Sequence, residues 1–233
     1  MVARYGADAA RLYSLFAAPP DRDLDWQNEG IEGIQRFLGR VYRFFARNAQ
    51  PDHPDWRKPV RAELSPEARA VQRKMHQTIK RVSDDFQGRW HFNTCISAVM
   101  ELVNTLYGAE DAIARKAVPV QFVAEVQRSV VLLLAPFAPY LAHELWEMIG
   151  EKESLLRAPW PKFDAELAKE EEIVIPVQVN GKLRGRVVVP ADATEEFVLE
   201  RALADEKVKA AIAGKQIMKK ICVPGKMVNL VVK

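Results

Sequence analysis

Apolar side chains recur at helical spacing through most of the chain before Glu170, and this periodicity predicts a series of amphipathic helices. Ser65 followed by Pro66 marks one helix start, because Ser caps a helix N-terminus and Pro fits its first turn. Long helices joined by short connections predict an up-down helical bundle. The predicted helices cover Ala7 to Ala17, Glu29 to Asn48, Ser65 to Phe86, Asn93 to Tyr107, and a segment that begins near Pro119.

The most apolar stretch runs from Ser129 to Gly150 and is divided by Pro136 and Pro139. Because Pro lacks an amide hydrogen and crowds the preceding turn, we expect one helix to end near Leu134 and another to begin at about Pro139. The prolines and His143 leave this stretch shorter than the roughly 18–20 apolar residues that a membrane span needs. The pattern therefore favours a bent helical hairpin in a protein core.

The period changes after Glu170-Glu171-Glu172, where apolar and polar residues begin to alternate as they do in strands. Asn180-Gly181 predicts the turn of a hairpin. A two-residue turn would set Leu183 opposite Gln178 and so place an apolar side chain against a polar face. A three-residue loop over Asn180 to Lys182, with a glycine-assisted bulge, keeps the apolar side chains on one face. We therefore expect the three-residue loop.

Two short helices and two strands are predicted after this hairpin. Asp192 to Glu195 predicts a capping box that opens a helix through Leu203, and Asp205 caps a second helix that ends at Gly214. The last strands are Ile217 to Val223 and Val228 to Val232. Together with the hairpin they predict a ββααββ module of about the minimum size that folds alone.

The predicted fold class is therefore mainly α, an up-down helical bundle followed by a small α+β module. We place the domain boundary at the acidic run, where the composition changes. The predicted parts are a connector over residues 1–24, the helical bundle over residues 25–169, and the module over residues 170–233. Trp26 is expected to anchor the polar segment that leads into the bundle.

Positive charge is concentrated in the predicted module, although the whole chain carries a net charge of only +3. From Ile173 to Lys233 the sequence has eleven Lys and Arg against six Asp and Glu, and no acidic residue follows Glu206. A basic module predicts a polyanionic partner such as RNA. The alternative is a lysine-rich surface that is only solvated.

Four arginines, Arg36, Arg40, Arg43 and Arg47, form a second stripe beside the apolar face of the helix over Glu29 to Asn48. Like charges at this spacing repel one another unless an anion lies nearby. The stripe therefore predicts phosphate contacts, with packing against the acids of a neighbouring domain as the main alternative.

Motifs for catalysis and for metal binding are missing from the sequence. The four histidines show no metal-ligand spacing with one another or with Cys95 and Cys222, which are expected to be buried thiols in a reducing cytosol. Gly225-Lys226 lacks the first glycine and the Ser or Thr of a phosphate-binding loop. No nucleophile elbow is present either. We therefore expect no catalytic residue, no metal site and no cofactor site in this chain, and a cytoplasmic location.

Several separated stretches resemble class Ia aminoacyl-tRNA synthetases, in the order in which that family has them. YGADAARLYSLFAAPP (Tyr5 to Pro20) resembles the segment after the family's KMSKS loop. FNTCISAVMELVN (Phe92 to Asn104) and LLAPFAPYLAHELWE resemble its anticodon-binding helical bundle. IPVQVNGKLRGRVVVP and KKICVPGKMVNLVV resemble the C-terminal module of bacterial-type leucyl-tRNA synthetases in particular. The resemblance covers essentially the whole chain.

The resemblance implies a tRNA-binding region rather than a complete enzyme. The HIGH and KMSKS signatures are absent, so ATP and leucine would bind a catalytic domain that this sequence lacks. Leucine tRNA would be the nucleic-acid partner, with the bundle supporting its stem and the module touching its elbow. The catalytic and editing domains of the parent enzyme would be the protein partners of a monomeric chain. The alternatives are a protein-interaction scaffold with a solubilising basic tail and a free-standing RNA chaperone.

The expected tRNA contacts are ranked by charge, predicted exposure and position in the motifs that carry the resemblance. In the hairpin, Gln178, Arg184 and Arg186 are expected to face away from the apolar side, with Lys182 at the tip. Phosphate contacts from Arg and Lys would position the RNA without reading its sequence. The predicted tRNA-binding residues are Lys182, Arg184, Arg186, Lys215, Lys219, Lys220 and Lys226, together with Arg36, Arg40, Arg43 and Arg47.

Overall fold

The structure is a computed structural model that describes residues 2–17, 27–170 and 172–233, apart from the side chain of Arg89. Trp26 lies outside the described residues, so its predicted anchoring role stays a prediction. Contacts divide the chain into two compact units, Met1–Ala168 and Lys169–Lys233. We call them the helical unit and the second unit. The chain is mainly helical with a small sheet, as the sequence predicted.

The helices of the first unit follow the apolar periodicity closely. Each long helix turns its apolar residues into one continuous core, and α7 is buried on nearly all sides. Ser65 caps α4 as predicted, because its hydroxyl accepts a hydrogen bond from the Ala68 amide. The helices are α1 (Val2–Tyr5), α2 (Ala7–Ala17), α3 (Asn28–Asn48), α4 (Pro66–Asp84), α5 (Phe92–Gly108), α6 (Glu110–Ala114), α7 (Val120–Leu134) and α8 (Pro139–Met148).

The predicted break at the prolines is confirmed, since α7 ends at Leu134 and α8 begins at Pro139. The first turn of α8 has no cap of its own, and Asp8 of α2 supplies one. Its carboxylate accepts hydrogen bonds from the amides of Tyr140 and Leu141 at 3.3 and 2.6 Å. A carboxylate here satisfies helix donors that would otherwise lack a partner. Contact between α2 and α8 therefore fixes the direction in which the chain leaves the bend.

The helix predicted to continue to Phe86 changes type at its end. After Asp84 the chain forms one π-helical segment, Asp85–Arg89, which closes with a hydrogen bond from the Trp90 amide to the Asp85 carbonyl at 3.0 Å. Apolar periodicity could not distinguish this wider turn from α-helix.

The buried Asp85 carboxylate lies 3.8 Å from the Cys95 sulfur. Burial, with Asp85 as a second cause, raises the pKa of the Cys95 thiol to about 12, so this thiol is unreactive at neutral pH. Cys222 is only partly buried, contrary to prediction.

The second unit is a four-stranded sheet in the order β2-β1-β4-β3 with two helices between its hairpins. Its core lies between one face of the sheet and the helices, and includes Val177, Val208 and Leu230, which are fully buried. The β1–β4 pair is parallel, and the other two pairs are antiparallel. The elements are β1 (Glu172–Val179), β2 (Lys182–Pro190), α9 (Glu195–Ala204), α10 (Glu206–Ile212), β3 (Ile217–Val223) and β4 (Met227–Val232).

The predicted three-residue hairpin loop is wrong. The turn has two residues, Asn180 and Gly181, both with left-handed backbone angles (φ of 49° and 77°), as a tight Asn-Gly turn requires. Gln178 does pair with Leu183, and a bulge next to this pair restores the pairing of Val177 with Gly185. The mismatch that argued against the tight turn is thus absorbed by the bulge, and Leu183 is left 51% exposed.

The predicted capping box at Asp192 is also wrong, because the cap lies two residues later. Thr194 accepts a hydrogen bond from the Phe197 amide and begins α9. The predicted cap at Asp205 is confirmed, since its carboxylate accepts from the amides of Lys207 and Val208 at 3.0 Å each. The helix that it opens ends at Ile212 rather than at Gly214.

Candidate nucleic-acid interface

A cleft of about 650 Å³ lies in the second unit between the β1–β2 turn and α10. Four of its lining side chains are cations, and none of its lining side chains is acidic. A concave surface of one sign of charge concentrates ions of the opposite sign. We call this cleft, with its four cations, the basic cleft. Its lining residues are Val179, Asn180, Lys182, Arg184, Lys207, Ala210, Ala211 and Lys215.

One wall of the basic cleft is the hairpin turn, which β4 holds in place. The Asn180 side chain exchanges two hydrogen bonds with the backbone of Val232, at 2.9 and 3.0 Å. The Gly181 amide donates to the Asn229 side chain at 3.1 Å. These contacts fix the turn on which Lys182 lies. The bulge explains why Arg184 also reaches the cleft, since the extra residue changes the local direction of β2.

The other wall is α10, which approaches β2 closely at Gly185. A β-carbon at Gly185 would lie only 2.8 Å from the Asp205 carboxylate and 2.9 Å from Val208. Only glycine permits this approach, which sets Lys207 beside the strand that carries Arg184. Asp205 precedes this wall, and its carboxylate is engaged in capping α10.

The structure brings three predicted contact residues together, Lys182, Arg184 and Lys215, and adds Lys207, which the prediction missed. All four side chains are exposed. The only sequence signal for Lys207 is that it begins the stretch without acidic residues after Glu206. Its proximity to Lys182 depends on the packing of α10 at Gly185, which spacing along the chain does not reveal.

The other predicted cations of the second unit lie elsewhere. Arg186 is exposed between Gly185 and Val187, both buried against the helices, so it points to the open face of the sheet. Arg186 does not line the basic cleft, so the expectation that it shares one surface with Arg184 stays a prediction. Lys219 and Lys220 lie on β3, at the opposite edge of the sheet from β2. Three strand spacings separate these edges, roughly 14 Å. Lys226 lies in the turn between β3 and β4.

The arginine stripe of α3 divides into two pairs. Arg47 forms two hydrogen bonds with the Glu110 carboxylate, at 2.8 and 3.1 Å. Arg40 donates to Asn104 at 2.9 Å, and its guanidinium lies 4.5 Å from the centre of the Tyr107 ring. Both contacts lie within the helical unit, so the partner acid is not one of a neighbouring domain.

Arg36 and Arg43, the other two arginines of the stripe, are exposed. Neither has a carboxylate within 4.0 Å among the residues that the structure describes. They are therefore the members of the stripe whose charge is available to an anionic partner.

A family model described as the anticodon-binding domain of tRNA ligase matches residues 68–199 of this chain, more than half of its length. The chain belongs to this family. The matched range begins in α4 and ends within α9, so it includes most of the helical unit and the hairpin of the second unit.

The relatives of this chain include leucine–tRNA ligases from bacteria. The protein of Solibacter usitatus is 49% identical over 99% of this chain, and that of Geotalea daltonii is 48% identical over the whole of it. The chain spans only 27–28% of the length of these relatives. A similar solved structure is the leucyl-tRNA synthetase of Agrobacterium radiobacter in a ternary complex with tRNA and LeuAMS. It is 32% identical, with a TM-score of 0.81, over the whole of this chain and 30% of that chain. This family member therefore corresponds to the anticodon-binding and C-terminal region of leucine–tRNA ligases.

The helical unit has a larger groove, of about 930 Å³, which is less suited to a polyanion. Its lining mixes cations with the carboxylates of Glu63, Glu125 and Glu151. Arg128 is paired with Glu151, and Arg69 lies 3.9 Å from Glu63.

No helix within the described residues has both the length and the apolar character that a membrane crossing needs. Among the same residues, no three His, Cys, Asp or Glu side chains are grouped as metal ligands would be.

Proposed function

We propose that this chain is the tRNA-binding region of a leucine–tRNA ligase, and that the basic cleft of the second unit holds the RNA backbone. The observation that carries the proposal is the grouping of Lys182, Arg184, Lys207 and Lys215 in one cleft with no acidic lining residue. Phosphates are the polyanionic groups that such cations bind, and these contacts position an RNA without reading its sequence. The relatives and the solved tRNA complex support RNA as the partner.

In this proposal the helical unit is the up-down bundle of the class Ia anticodon-binding fold, and the second unit is a ββααββ module that touches the tRNA elbow. The natural partner is leucine tRNA, bound by one copy of the chain in the cytoplasm. ATP and leucine would bind in a part of such a ligase that corresponds to none of the residues described above. Arg186, Lys219, Lys220 and Lys226 would extend the contact over the sheet and its far edge.

The test is the affinity of the chain for leucine tRNA across a salt series, for the wild type and for the variant Lys182→Ala/Arg184→Ala/Lys207→Ala/Lys215→Ala. Each lost phosphate contact should reduce the slope of log affinity against log salt by about 0.7–0.9. We expect the variant to bind at least roughly tenfold more weakly at low salt, with an unchanged melting temperature because all four side chains are exposed.

A matched control removes four cations of the second unit that lie outside the basic cleft, Lys209, Lys219, Lys220 and Lys226. It changes the net charge equally and should reduce the affinity less. Equal losses in the two variants would show that net charge, and not the cleft, determines binding. Salt-insensitive binding to a protein, with none to tRNA, would instead support an interaction scaffold with a solubilising basic tail.

A further inference from the structure

Trp90 lies between α4 and α5, directly after the π-helical segment Asp85–Arg89. Its backbone is left-handed, with φ of 54° and ψ of 32°, a conformation that suits glycine and that a bulky residue rarely adopts. Its side chain is 55% exposed, so burial of the ring does not offset this strain. Strained residues and π-helical segments both occur often at functional sites. The position therefore points to a ligand of the indole ring.

The indole is supported on its protein side by other aromatic rings. Its centre lies 5.8 Å from that of Phe92, at an interplanar angle of 81°. Phe92 in turn lies 6.1 Å from Phe137, which is only 1% exposed. An edge-to-face contact of this kind holds the indole without stacking on it, so a flat face of the ring stays open to solvent. Trp90 thus presents a fixed aromatic surface.

The charges around Trp90 suit a polyanion. Arg89 and His91 flank it in the sequence, and no acidic residue follows before position 101. Of the two carboxylates that precede it, that of Asp85 is buried, and that of Asp84 forms an ion pair with the lysine one turn earlier. A phosphate can therefore approach this turn without repulsion from an unpaired carboxylate.

We infer that Trp90 stacks on an unpaired base of the RNA that the chain binds. The inference rests on the proposed function and extends it from phosphates to bases. Every base has a flat π face, so one exposed aromatic ring can bind it without reading its identity. Loops of RNA offer such unstacked bases. A protein could also cover an exposed tryptophan, but the flanking cations favour a ligand that combines flat rings with phosphates.

A stacked base and a phosphate contact differ in their salt dependence. Loss of a phosphate contact reduces the slope of log affinity against log salt, because fewer counterions are released on binding. Loss of a stacked base should lower the affinity at every salt concentration and leave that slope unchanged. The contact at Trp90 can therefore be separated from those of the basic cleft.

The first experiment measures the affinity of the full chain for leucine tRNA across a salt series. Trp90→Gly should bind about fivefold or more weakly, with an unchanged slope. Its melting temperature should be equal to that of the wild type or higher, because glycine adopts the left-handed backbone without strain. Trp90→Phe keeps a stacking ring and should retain most of the affinity. Leu156→Ala removes a side chain that is 85% exposed and is the control, which should change neither property.

The second experiment separates bases from phosphates. The probes are a short single-stranded oligoadenylate and an abasic strand of the same length, which keeps the phosphates and lacks the bases. Stacking quenches indole fluorescence, so the oligoadenylate should lower the fluorescence of the wild-type chain and the abasic strand should not. Most of this decrease should be lost in Trp90→Phe, because the other four tryptophans remain.

Three results would overturn the inference and leave the proposed function intact. The first is wild-type affinity for tRNA in Trp90→Gly when the four-cation variant of the basic cleft binds weakly, which would favour a protein as the ligand of this ring. The second is a reduced salt slope in Trp90→Gly, and the third is equal quenching by the two strands. A wild-type chain that does not bind tRNA would overturn both proposals.

Discussion

The helical unit and the second unit use their cations differently. In the helical unit several are paired with carboxylates of the same unit, among them Arg47 with Glu110, Lys74 with Glu101 and Arg128 with Glu151. In the described range 173–233, none of the eleven Lys and Arg side chains lies within 4.0 Å of a carboxylate. Cations that pair within a unit fix its own surface, whereas cations without internal partners leave a field for an external anion. In the proposed function, the second unit would therefore make the main electrostatic contact with RNA, and the helical unit would be the scaffold.

The largest effect is expected from removing a core side chain of the helical unit. Trp146 is 3% exposed and donates its indole hydrogen to the Glu153 carbonyl at 2.8 Å. Trp146→Ala should reduce the free energy of unfolding of the helical unit by about 3–5 kcal/mol, because it leaves a large cavity. All five tryptophans precede residue 161, so denaturation followed by tryptophan fluorescence reports on this unit. Trp90→Ala, where the ring is 55% exposed, is the control and should cost less than about 1 kcal/mol.

A second change tests whether the geometry of the basic cleft depends on the close approach at Gly185. Gly185→Ala should destabilise the second unit by about 1–3 kcal/mol, because the new methyl group overlaps Asp205 and the buried Val208. It should also displace Lys207 and weaken binding of leucine tRNA. Amide exchange in β1 and β2 measures the stability of this unit separately. Gly108→Ala, which meets no atom within 4 Å, should leave both properties unchanged. A stable Gly185→Ala variant with wild-type affinity would contradict the account of this wall.

A third test compares two pairs of arginines on α3, one pair without and one pair with partners inside the helical unit. Arg36→Ala/Arg43→Ala should lower affinity for leucine tRNA and reduce its salt slope, with no loss of stability. Arg40→Ala/Arg47→Ala should instead lower the melting temperature slightly, because Arg47 loses its exposed ion pair with Glu110 and Arg40 loses its hydrogen bond to Asn104. Its effect on affinity should be the smaller of the two. If both variants reduce affinity equally, internal pairing does not withhold these arginines from RNA.

The two units also differ in how much of them the sequence could predict. Pro136, Pro139 and Ser65 act locally, so the ends of α7 and α8 and the start of α4 follow from the residues themselves. The hairpin depends on both the Asn180-Gly181 turn and the register of the strands. The sequence predicted a bulge, but it did not reveal that the bulge would accompany a two-residue turn. Lys207 joins Lys182 only because α10 packs at Gly185. The contacts of residues 159–168 with His76 and Ser83 are likewise invisible in the sequence, because they join an irregular segment to a distant helix.

The smallest expected effect is a pH dependence of the contact between His76 of α4 and the Asp164 amide, which lies in the irregular segment over residues 159–168. His76 Nδ1 accepts the Asp164 amide hydrogen, so the neutral ring must carry its proton on Nε2, which is buried without a hydrogen-bond partner among the described residues. Burial lowers the pKa of His76, and the Asp164 carboxylate opposes this only in part.

The sign of the dependence follows from this lowered pKa. The unfolded chain takes up a proton near its ordinary pKa of about 6.5, before the folded chain does, so stability is lost as the pH falls below about 6.5. Protonation of Nδ1 also removes the acceptor for the Asp164 amide. Exchange at that amide should therefore accelerate as the pH falls below about 6.5, relative to amides in α7. His76→Gln offers an acceptor oxygen that does not titrate, and should remove this dependence. If exchange at Asp164 accelerates equally in His76→Gln, another group is responsible and the contact with His76 does not set the pH dependence.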